Sequence, residues 1–585
     1  MTVTTLTRQK SKRTLKSFFP ILSWLPKYKR SLLQPDTIAA LTVWALLVPE
    51  AMAYAGIAGM PPEYGLYAAP LALLGYAIFG TSRHMNVGPS STVAALSFST
   101  IAGLGVATGS EDWIALTAAL AILTGIFLLI GGLLRLGVLA DFLSRPVLDG
   151  FIVGVAITVA VGQLDKMLGY EVAEVELDFI PDILLIISDL GMTHWPTLVV
   201  GLVSLALLFL IERFLPKAPG ALIVLALAIV VSALLDFESR GIHIVGDIPA
   251  GLPDFGMPGV TFDQLVSLIP GALAIMLVAY AESIAVARSY AAKFNYKIDP
   301  DQEFIGLGAA NLGSGFSGSF VVDGSLSKTA ASVEAGAKSQ MVSIIAAVAV
   351  LITAVALTPL FRTLPEATLG AIVIHAVWHL ISYKRISKYR AITSLDFWTG
   401  LVAALGVLAI GILEGLLLAV FLGLLGLLFA NKKRTTAVLG KVPGTMIYRS
   451  LENYPDGETI PGLLITRFDG SLFFANAPDF ADEIRYGVEI TEPSPKVIMV
   501  DFESVTDIDA TALIAIEELI EELERNNIDL RLARVRTHVL DLMRTTGLDD
   551  LIGHEHIYDS VDAGADAFLA ESMVEAEAKP EEVEK

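Results

Sequence analysis

The sequence contains no cysteine, so the chain forms no disulfide bond and offers no thiolate to a metal ion. Charged residues are also scarce, because Asp, Glu, Lys and Arg together make up 17% of the 585 residues. Soluble domains usually carry more charge than this. Residues 1–35 lack a leading apolar run with a cleavage site, and we therefore expect no signal peptide.

Motifs for nucleotide hydrolysis and covalent catalysis are absent as well. The sequence has no Gly-x-x-x-x-Gly-Lys-Ser/Thr loop to cradle phosphates, and no Gly-x-Ser-x-Gly nucleophile elbow. We therefore predict that the protein is not an enzyme and needs no cofactor. If it transports a solute, no ATPase on this chain drives that transport.

Apolar residues dominate the chain, at 54% of the sequence with a mean hydropathy of +0.65. They form long continuous runs, which are typical of a polytopic helical membrane protein and not of alternating β-barrel strands. We predict fourteen such segments within residues 36–434. They lie near 37–56, 65–80, 90–106, 114–136, 138–163, 195–214, 218–235, 264–288, 303–318, 325–336, 341–361, 366–382, 397–412 and 414–430.

The distribution of charge predicts the orientation of these segments. Residues 1–35 hold eight Lys and Arg and no acid, which indicates a cytoplasmic N-terminus. Loops after even-numbered segments are basic, for example 384–390, whereas the loop 171–176 after an odd-numbered segment is acidic. Both termini are therefore expected in the cytoplasm, with the protein in the inner (plasma) membrane. Seven segments per half is an odd number, so the two halves must be inverted relative to each other.

The acidity of the chain belongs to its C-terminal part. The net charge is −21, and residues 435–585 hold 32 acidic and 12 basic residues. Such acidity argues against nucleic acid as a partner. Strand-like and helix-like runs alternate here, which predicts a cytoplasmic α/β domain over 435–570, followed by an acidic disordered tail over 571–585. The strands are expected at 463–468 and 496–501, and the helices at 509–526 and 538–546.

Two breaks interrupt the apolar segments at matching positions of the two halves. The first is Gly88-Pro89-Ser90-Ser91-Thr92 and the second is Asp323-Gly324-Ser325-Leu326-Ser327-Lys328-Thr329. Each precedes an Ala-rich run that is typical of a helix. Helix N-termini offer free N–H groups and a positive dipole to an anion, and Ser and Thr add hydroxyl donors. Paired breaks of this kind indicate a transporter site at the membrane midplane, although each break taken alone is also compatible with a simple turn.

Three ionisable residues lie inside the apolar segments: Glu50, Glu282 and Lys328. A charge at membrane depth costs about 3 kcal/mol, so such residues usually face a cavity and have a function. Lys328 is a candidate partner for an anion. Glu50 and Glu282 are candidate proton carriers, and the alternative is that either one pairs with Lys328 as fixed structure.

His375 and His379 are four residues apart and share a helix face. This spacing is compatible with metal binding, but no carboxylate or Cys motif accompanies the pair. A metal site usually has three or four ligands, so we favour a packing role and predict no metal site.

Several motifs follow one another along the membrane region. They are Val48-Pro49-Glu50-Ala51-Met52-Ala53-Tyr54-Ala55, Pro62-Glu63-Tyr64-Gly65-Leu66-Tyr67, Phe79-Gly80-Thr81-Ser82-Arg83-His84, Val87-Gly88-Pro89, Phe142-Leu143-Ser144-Arg145-Pro146-Val147 with Gly150-Phe151, and Gly324-Ser325-Leu326-Ser327-Lys328-Thr329-Ala330. In this order they resemble the sulfate-permease (SulP) family, and the resemblance covers nearly all of residues 36–570. The run 501–511 resembles the core of the STAS domain that follows the membrane part in this family.

The resemblance implies a fold and a site. The fold is a seven-plus-seven inverted repeat of the uracil-permease type, in which a core domain moves as an elevator against a gate domain, usually within a homodimer. Glu282 matches the carboxylate that proton-coupled relatives place on helix 8. The implied anion-binding residues are Ser90, Ser91, Ser325, Leu326, Ser327 and Lys328, with Glu50 beside them.

This sequence departs from the family pattern at two places in the membrane region and at one in the STAS-like run. Many members have Gln where Glu50 stands, and many have Arg where Lys328 stands. Sodium-coupled relatives have Asp on helix 8 with Thr four residues later, a position that is Val286 here. In the STAS-like run, Ala510 occupies the position of the Ser that is phosphorylated in bacterial anti-sigma antagonists, with Thr511 next to it.

The leading hypothesis is a secondary active transporter of a small inorganic anion, with sulfate and proton coupling favoured. Bicarbonate and dicarboxylates fit the same residues. An uncoupled anion channel and a membrane-tethered regulatory module, whose STAS domain binds a nucleotide or a protein, are the alternatives. Fourteen segments with paired breaks are more than an anchor requires, and buried carboxylates are more than a passive anion pore requires.

Overall fold

The protein divides into two compact units in the computed structural model, one ending at Leu424 and the other beginning at Leu425. The structure describes residues 15–137, 145–169, 179–216, 218–381, 383–432 and 436–578. The sequence predictions that fall on 1–14, on the acidic loop 171–176 and on the last seven residues of the tail lie outside the described residues.

The part of the chain up to residue 432 is helical. Its α-helices are α1 Leu15–Phe18, α2 Ile21–Trp24, α3 Leu33–Ile57, α4 Pro62–Phe79, α5 Ser91–Ala102, α6 Glu111–Leu133, α7 Arg145–Val161, α8 Leu164–Leu168, α9 Phe179–Asp189, α10 Trp195–Phe214, α11 Gly220–Leu235, α12 Phe262–Lys293, α13 Pro300–Phe316, α14 Leu326–Glu334, α15 Met341–Ile352, α16 Glu366–Trp378, α17 Tyr383–Ile392, α18 Ser394–Ile410 and α19 Ile412–Lys432. Two short strands, β1 Asn86–Gly88 and β2 Asp323–Ser325, form its two-stranded sheet.

Each of the fourteen predicted apolar segments overlaps one of these helices. Within the described ranges, six helical stretches are long and apolar enough to cross a membrane. Apolar helices suit a membrane because a helix satisfies its own backbone hydrogen bonds where no water is available. The prediction differs at 384–390, where the basic run expected as a loop lies within helix α17. Lys and Arg are good helix formers, so positive charge alone does not indicate a loop.

Local sequence signals explain where several helices begin. Thr261 and Gln264 form a capping box at the start of α12. The Asp299 side chain accepts hydrogen bonds from the backbone of Asp301 and Gln302, and Pro300 is the first residue of α13. Inside α3, Pro49 cannot donate the usual backbone hydrogen bond, which loosens the helix next to Glu50.

A buried carboxylate connects the end of α4 to the start of α13. Glu303 is fully buried and accepts hydrogen bonds from the Tyr76 hydroxyl at 2.6 Å and from the Thr81 backbone at 2.7 Å. The Ser82 backbone donates to the same carboxylate at 3.0 Å. This network holds the short segment that leads from α4 into β1, and it therefore positions the first break.

Small residues allow close approach between α7 and α18. A Cβ atom added at Gly150 would lie 1.9 Å from the Gly400 carbonyl oxygen, and one added at Gly400 would lie 2.7 Å from the Pro146 carbonyl oxygen. Because membrane helices associate largely through packing, small residues at a crossing point allow the backbones to touch. The Gly150-Phe151 motif is therefore a packing feature of this crossing.

We expect Gly150→Ala to lower the thermal midpoint of the purified protein by several degrees. The added methyl group collides with backbone, which cannot move aside as a side chain can, and overpacking of this kind costs about 1–3 kcal/mol. Gly191→Ala is the matched control, because an added Cβ there meets nothing within 4 Å. Equal midpoints for the two variants in a thermal-shift measurement would contradict the close crossing.

The second unit is an α/β domain built on a six-stranded sheet. The strand order is β4-β3-β5-β6-β7-β8, in which β5 to β8 run parallel and β3 and β4 are antiparallel to their neighbours. The strands are β3 Thr436–Lys441, β4 Tyr448–Ser450, β5 Leu463–Phe468, β6 Val497–Asp501, β7 Asp529–Ala533 and β8 Ile557–Tyr558. The helices are α20 Ala477–Ile490, α21 Ala510–Arg525, α22 Thr537–Thr546, α23 Leu548–Ile552 and α24 Val561–Ala578. The predicted strands and helices agree with these bounds to within one residue.

Helix α24 corrects the prediction of a disordered tail beginning at 571. The helix continues to Ala578, because Val561, Ala565 and Phe568 pack into a buried cluster on the sheet and anchor its first half. Arg531 then bonds Glu571 at 2.6 Å and Asp529 at 2.8 Å. Burial alone would lower the pKa of Arg531, but these hydrogen bonds outweigh it and hold the pKa above its ordinary value.

Candidate functional site

The two breaks lie side by side. Strands β1 and β2 pair antiparallel, with Asn86 opposite Ser325, Val87 opposite Gly324 and Gly88 opposite Asp323. Helix α5 begins three residues after β1, and α14 begins directly after β2. Because the strands are antiparallel, the two helices leave the pair in opposite directions, and their N-termini lie close together. The pairing places two positive helix ends at one location.

Lys328 supplies a positively charged side chain where the N-termini of α5 and α14 lie close together. It lies in the first turn of α14 and is only 2% exposed. Its Nζ lies 2.8 Å from Oε2 of Glu50 and donates a hydrogen bond to the Pro89 carbonyl at 3.0 Å. The Tyr54 ring lies beneath the ammonium, with its centroid 5.4 Å away. Lys328 therefore joins both breaks to α3, and Glu50 is its ionic partner.

The serines of the two breaks are arranged differently. At α14, Ser325 caps the helix by accepting from the Lys328 backbone, and its hydroxyl lies 3.2 Å from that of Ser327. At α5, the Ser90 side chain makes no capping bond, and Ser91 is buried. The first-turn N–H groups of α5 are therefore not satisfied by their N-cap side chain, which makes them donors for a ligand.

Two predicted site residues point away from the packed interior. Leu326 is 60% exposed, and Ser327 is also exposed, although both belong to the first turn of α14. The neighbouring Lys328 and Thr329 are buried. The start of α14 therefore has one face against the protein and one open face, through which a ligand can approach.

Asp323 is a site residue that the sequence prediction omitted. It is fully buried and lies beside the carboxyl group of Glu282 and the hydroxyl of Ser90. Both Asp323 oxygens, and Oε1 of Glu282, are buried without a partner of good hydrogen-bond geometry among the described residues. The sequence did show an acid inside an otherwise apolar segment. The prediction treated Asp323 only as the first residue of the second break.

Helix α12 is held directly against the second break. The Gly324 backbone donates to the Ser283 hydroxyl at 2.7 Å, which places the adjacent Glu282 next to β2. A Cβ at Gly324 would lie 2.6 Å from the Met85 sulfur and 2.9 Å from the Ser283 hydroxyl, so glycine is required for this approach. Glu282 also lies beside Thr92 of the first break.

The site thus combines one ammonium, three carboxyl groups and two helix N-termini. A separate cavity of about 570 Å³ is lined by Glu63, Glu111 and Asp254, and no Lys or Arg is among the described residues that line it. That cavity is unsuited to an anion because its charged groups are all acidic. The geometry around Lys328 is the better candidate for an anion site.

Comparison with known proteins agrees with this architecture. Residues 33–403 match the sulfate permease family, and residues 454–564 match the STAS domain. A probable sulfate transporter of Mycobacterium tuberculosis is 35% identical over 550 residues, which cover 93% of this chain and 96% of that protein. High affinity sulfate transporter 2 of Stylosanthes hamata is 32% identical over 564 residues, which cover 93% of this chain and 85% of that protein.

Solved structures show the same fold. The structure of the murine Solute Carrier 26 family member A9 anion transporter matches with a TM-score of 0.88 at 24% identity, covering 97% of both chains. The transmembrane domain of a cyanobacterium bicarbonate transporter matches with a TM-score of 0.59 at 22% identity, covering 68% of this chain and 98% of that domain. The protein is therefore a helical membrane-transporter core followed by a STAS domain. Because the family match spans more than half of the chain, and relatives above 30% identity cover most of it, the chain belongs to the sulfate permease family, whose members are transporters and not enzymes.

Proposed function

We propose that this protein is a secondary active transporter of sulfate, driven by protons. One observation carries the proposal: the antiparallel pairing of β1 and β2 brings two helix N-termini and the buried ammonium of Lys328 to one point. Sulfate is favoured as the anion because the relatives in Mycobacterium tuberculosis and Stylosanthes hamata are named as a probable sulfate transporter and a high affinity sulfate transporter. Bicarbonate and dicarboxylates are the competing substrates.

Binding of the anion requires Lys328 to change partners. Its ammonium is paired with Glu50, so sulfate must compete with a carboxylate that lies 2.8 Å away. A proton on Glu50 would remove this competition and leave Lys328 free for the anion. The open N–H groups of α5 and the hydroxyls of Ser90 and Ser325 would then replace water around the sulfate oxygens.

The charge balance of the site favours protons as the coupling ion. Three carboxyl groups, those of Glu50, Glu282 and Asp323, face one ammonium. With all three ionised, the site would be negative and would repel an anion. Protonation of the carboxyls therefore has to accompany sulfate binding. Sodium is disfavoured because Val286, four residues after Glu282, offers no oxygen ligand.

The movement that we propose is of the elevator type, within a seven-plus-seven inverted repeat and a homodimer. Both termini would lie on the cytoplasmic side of the plasma membrane. In this arrangement the paired half-helices α5 and α14 belong to the core domain. They move together with that domain relative to the gate domain. The STAS domain would regulate transport by binding a nucleotide or a partner protein.

The experiment is uptake of radiolabelled sulfate into proteoliposomes that contain the purified protein. With an acid exterior and a neutral interior, we expect sulfate to accumulate roughly ten-fold per pH unit for each proton carried. The same uptake is measured with and without sodium, and with excess bicarbonate or succinate as competitors.

Each outcome decides one part of the proposal. Sulfate accumulation that requires sodium, or that does not change with the pH gradient, would contradict proton coupling. If bicarbonate inhibits the uptake of labelled sulfate at a lower concentration than unlabelled sulfate does, bicarbonate is the preferred substrate. Conductance far above transporter turnover in a planar bilayer would indicate a channel instead.

A further inference from the structure

A cluster of two histidines and one glutamate lies outside the anion site. The side chain of Glu212, near the end of α10, contacts the side chains of His375 and His379, at the end of α16. Nε2 of His375 lies 3.0 Å from one Glu212 oxygen, and Nε2 of His379 lies 2.8 Å from the other. The three ligand atoms all lie within 4.8 Å of one another. The sequence predicted no metal site here because two histidines lack a third ligand, and the tertiary structure supplies that ligand from another helix.

The contacts of His379 favour a cation between its ring and Glu212. Nδ1 of His379 lies 3.1 Å from the His375 carbonyl oxygen, which can only accept, so Nδ1 carries a proton. In a neutral ring, Nε2 then presents a lone pair to the Glu212 carboxylate at 2.8 Å, which is repulsive. An additional proton on one of the two groups, or a metal ion between them, removes this repulsion.

The same hydrogen bond prepares His379 as a metal ligand. A carbonyl that accepts from Nδ1 orients the ring and leaves Nε2 unprotonated, which is the usual support for a metal-bound histidine. Two histidines and one glutamate are a common ligand set for zinc with one open coordination position. Zinc to ligand distances are about 2.0–2.2 Å in a tetrahedral site, so ligand atoms lie roughly 3.3–3.6 Å apart and small side-chain movements suffice.

We propose that Glu212, His375 and His379 form a binding site for a divalent transition metal ion of the zinc class. The side chains of His379 and Glu212 are 50% and 46% exposed, so an ion can reach them. A bound ion would connect α10 to α16, two helices that already pack together through Ser204 and Thr368, whose hydroxyls lie 3.1 Å apart. Metal binding therefore stabilises this helix pair.

The test uses the purified full-length protein, with any polyhistidine tag removed, and zinc chloride or cobalt chloride as the probe. Isothermal titration calorimetry is expected to show one saturable zinc site per chain. Cobalt is expected to give the visible absorption of a low-coordinate site with nitrogen ligands. His379→Ala and Glu212→Gln should each weaken zinc affinity about ten-fold or more, since even residues that only orient metal ligands have effects of this size.

His554→Ala is the matched control. His554 lies in the other acidic and histidine cluster of the described residues, with Asp549 and Asp550. We expect this variant to retain the zinc affinity of the unmodified protein, and zinc should raise the thermal midpoint of both by several degrees. His379→Ala should have an unchanged midpoint without metal and no response to zinc. No saturable binding, or equal affinity in His379→Ala, would overturn the proposal and leave a proton as the cation.

Discussion

Replacement of Lys328 by methionine is expected to reduce sulfate uptake by about 100-fold, because a hydrogen bond to a charged group contributes about 1.5–3 kcal/mol and about 1.4 kcal/mol corresponds to a factor of ten. Lys328 is 2% exposed and holds Glu50 at 2.8 Å, so methionine would leave that carboxylate without its cation. The anion would lose the ammonium that the described residues place at the paired helix ends. The measurement is initial sulfate uptake by proteoliposomes containing equal amounts of folded protein.

Two further variants separate loss of folding from loss of binding. The double variant Lys328→Met with Glu50→Gln removes both charges of the pair, so it should regain the size-exclusion profile of the unmodified protein while remaining inactive. Lys328→Arg keeps the positive charge and should retain measurable uptake, although its planar fork differs in geometry. Normal uptake by the double variant would show that Lys328 does not bind the anion.

Glu282→Gln is expected to uncouple transport from the proton gradient. Glu282 lies beside Asp323, and glutamine cannot take up and release a proton as glutamate does, so the variant loses one proton carrier. Accumulation of sulfate should fall roughly ten-fold for each pH unit of gradient if this carboxyl carries one proton. Exchange of internal for external sulfate should persist, because exchange needs no net proton movement.

Asp323→Asn tests whether the neighbouring carboxyl shares this role. If the two groups hold one proton between them, both single variants lose gradient-driven accumulation and the double variant is no worse. Glu111→Gln is the control, because Glu111 lies at the start of α6 and lines a different cavity. If sulfate accumulation in Glu282→Gln and in Asp323→Asn depends on pH as it does in the unmodified protein, Glu50 alone carries the proton.

The positions of most apolar helices could be predicted from the sequence because hydropathy is a local property, but α9 lies outside every predicted segment. The strands β5 and β6 of the STAS domain were predicted for a similar reason, since each is a short apolar run bounded by turns. Local patterns were misleading where a charged segment is helical. The basic helix α17 and the first part of the tail, Glu571–Ala578, were both expected to be irregular.

The sequence by itself determined the class of the protein, the positions of most of its apolar helices and the two breaks that contain Ser90 and Lys328. These are local properties, because the backbone N–H and C=O groups of a membrane helix must form their hydrogen bonds within the same helical segment. Only the tertiary structure decided which charges meet: Lys328 with Glu50, Glu282 with Asp323, and Glu212 with His379. The partners in each pair lie on different elements of the chain. Their pairing depends on which helices and strands pack together, and that is a property of the whole fold.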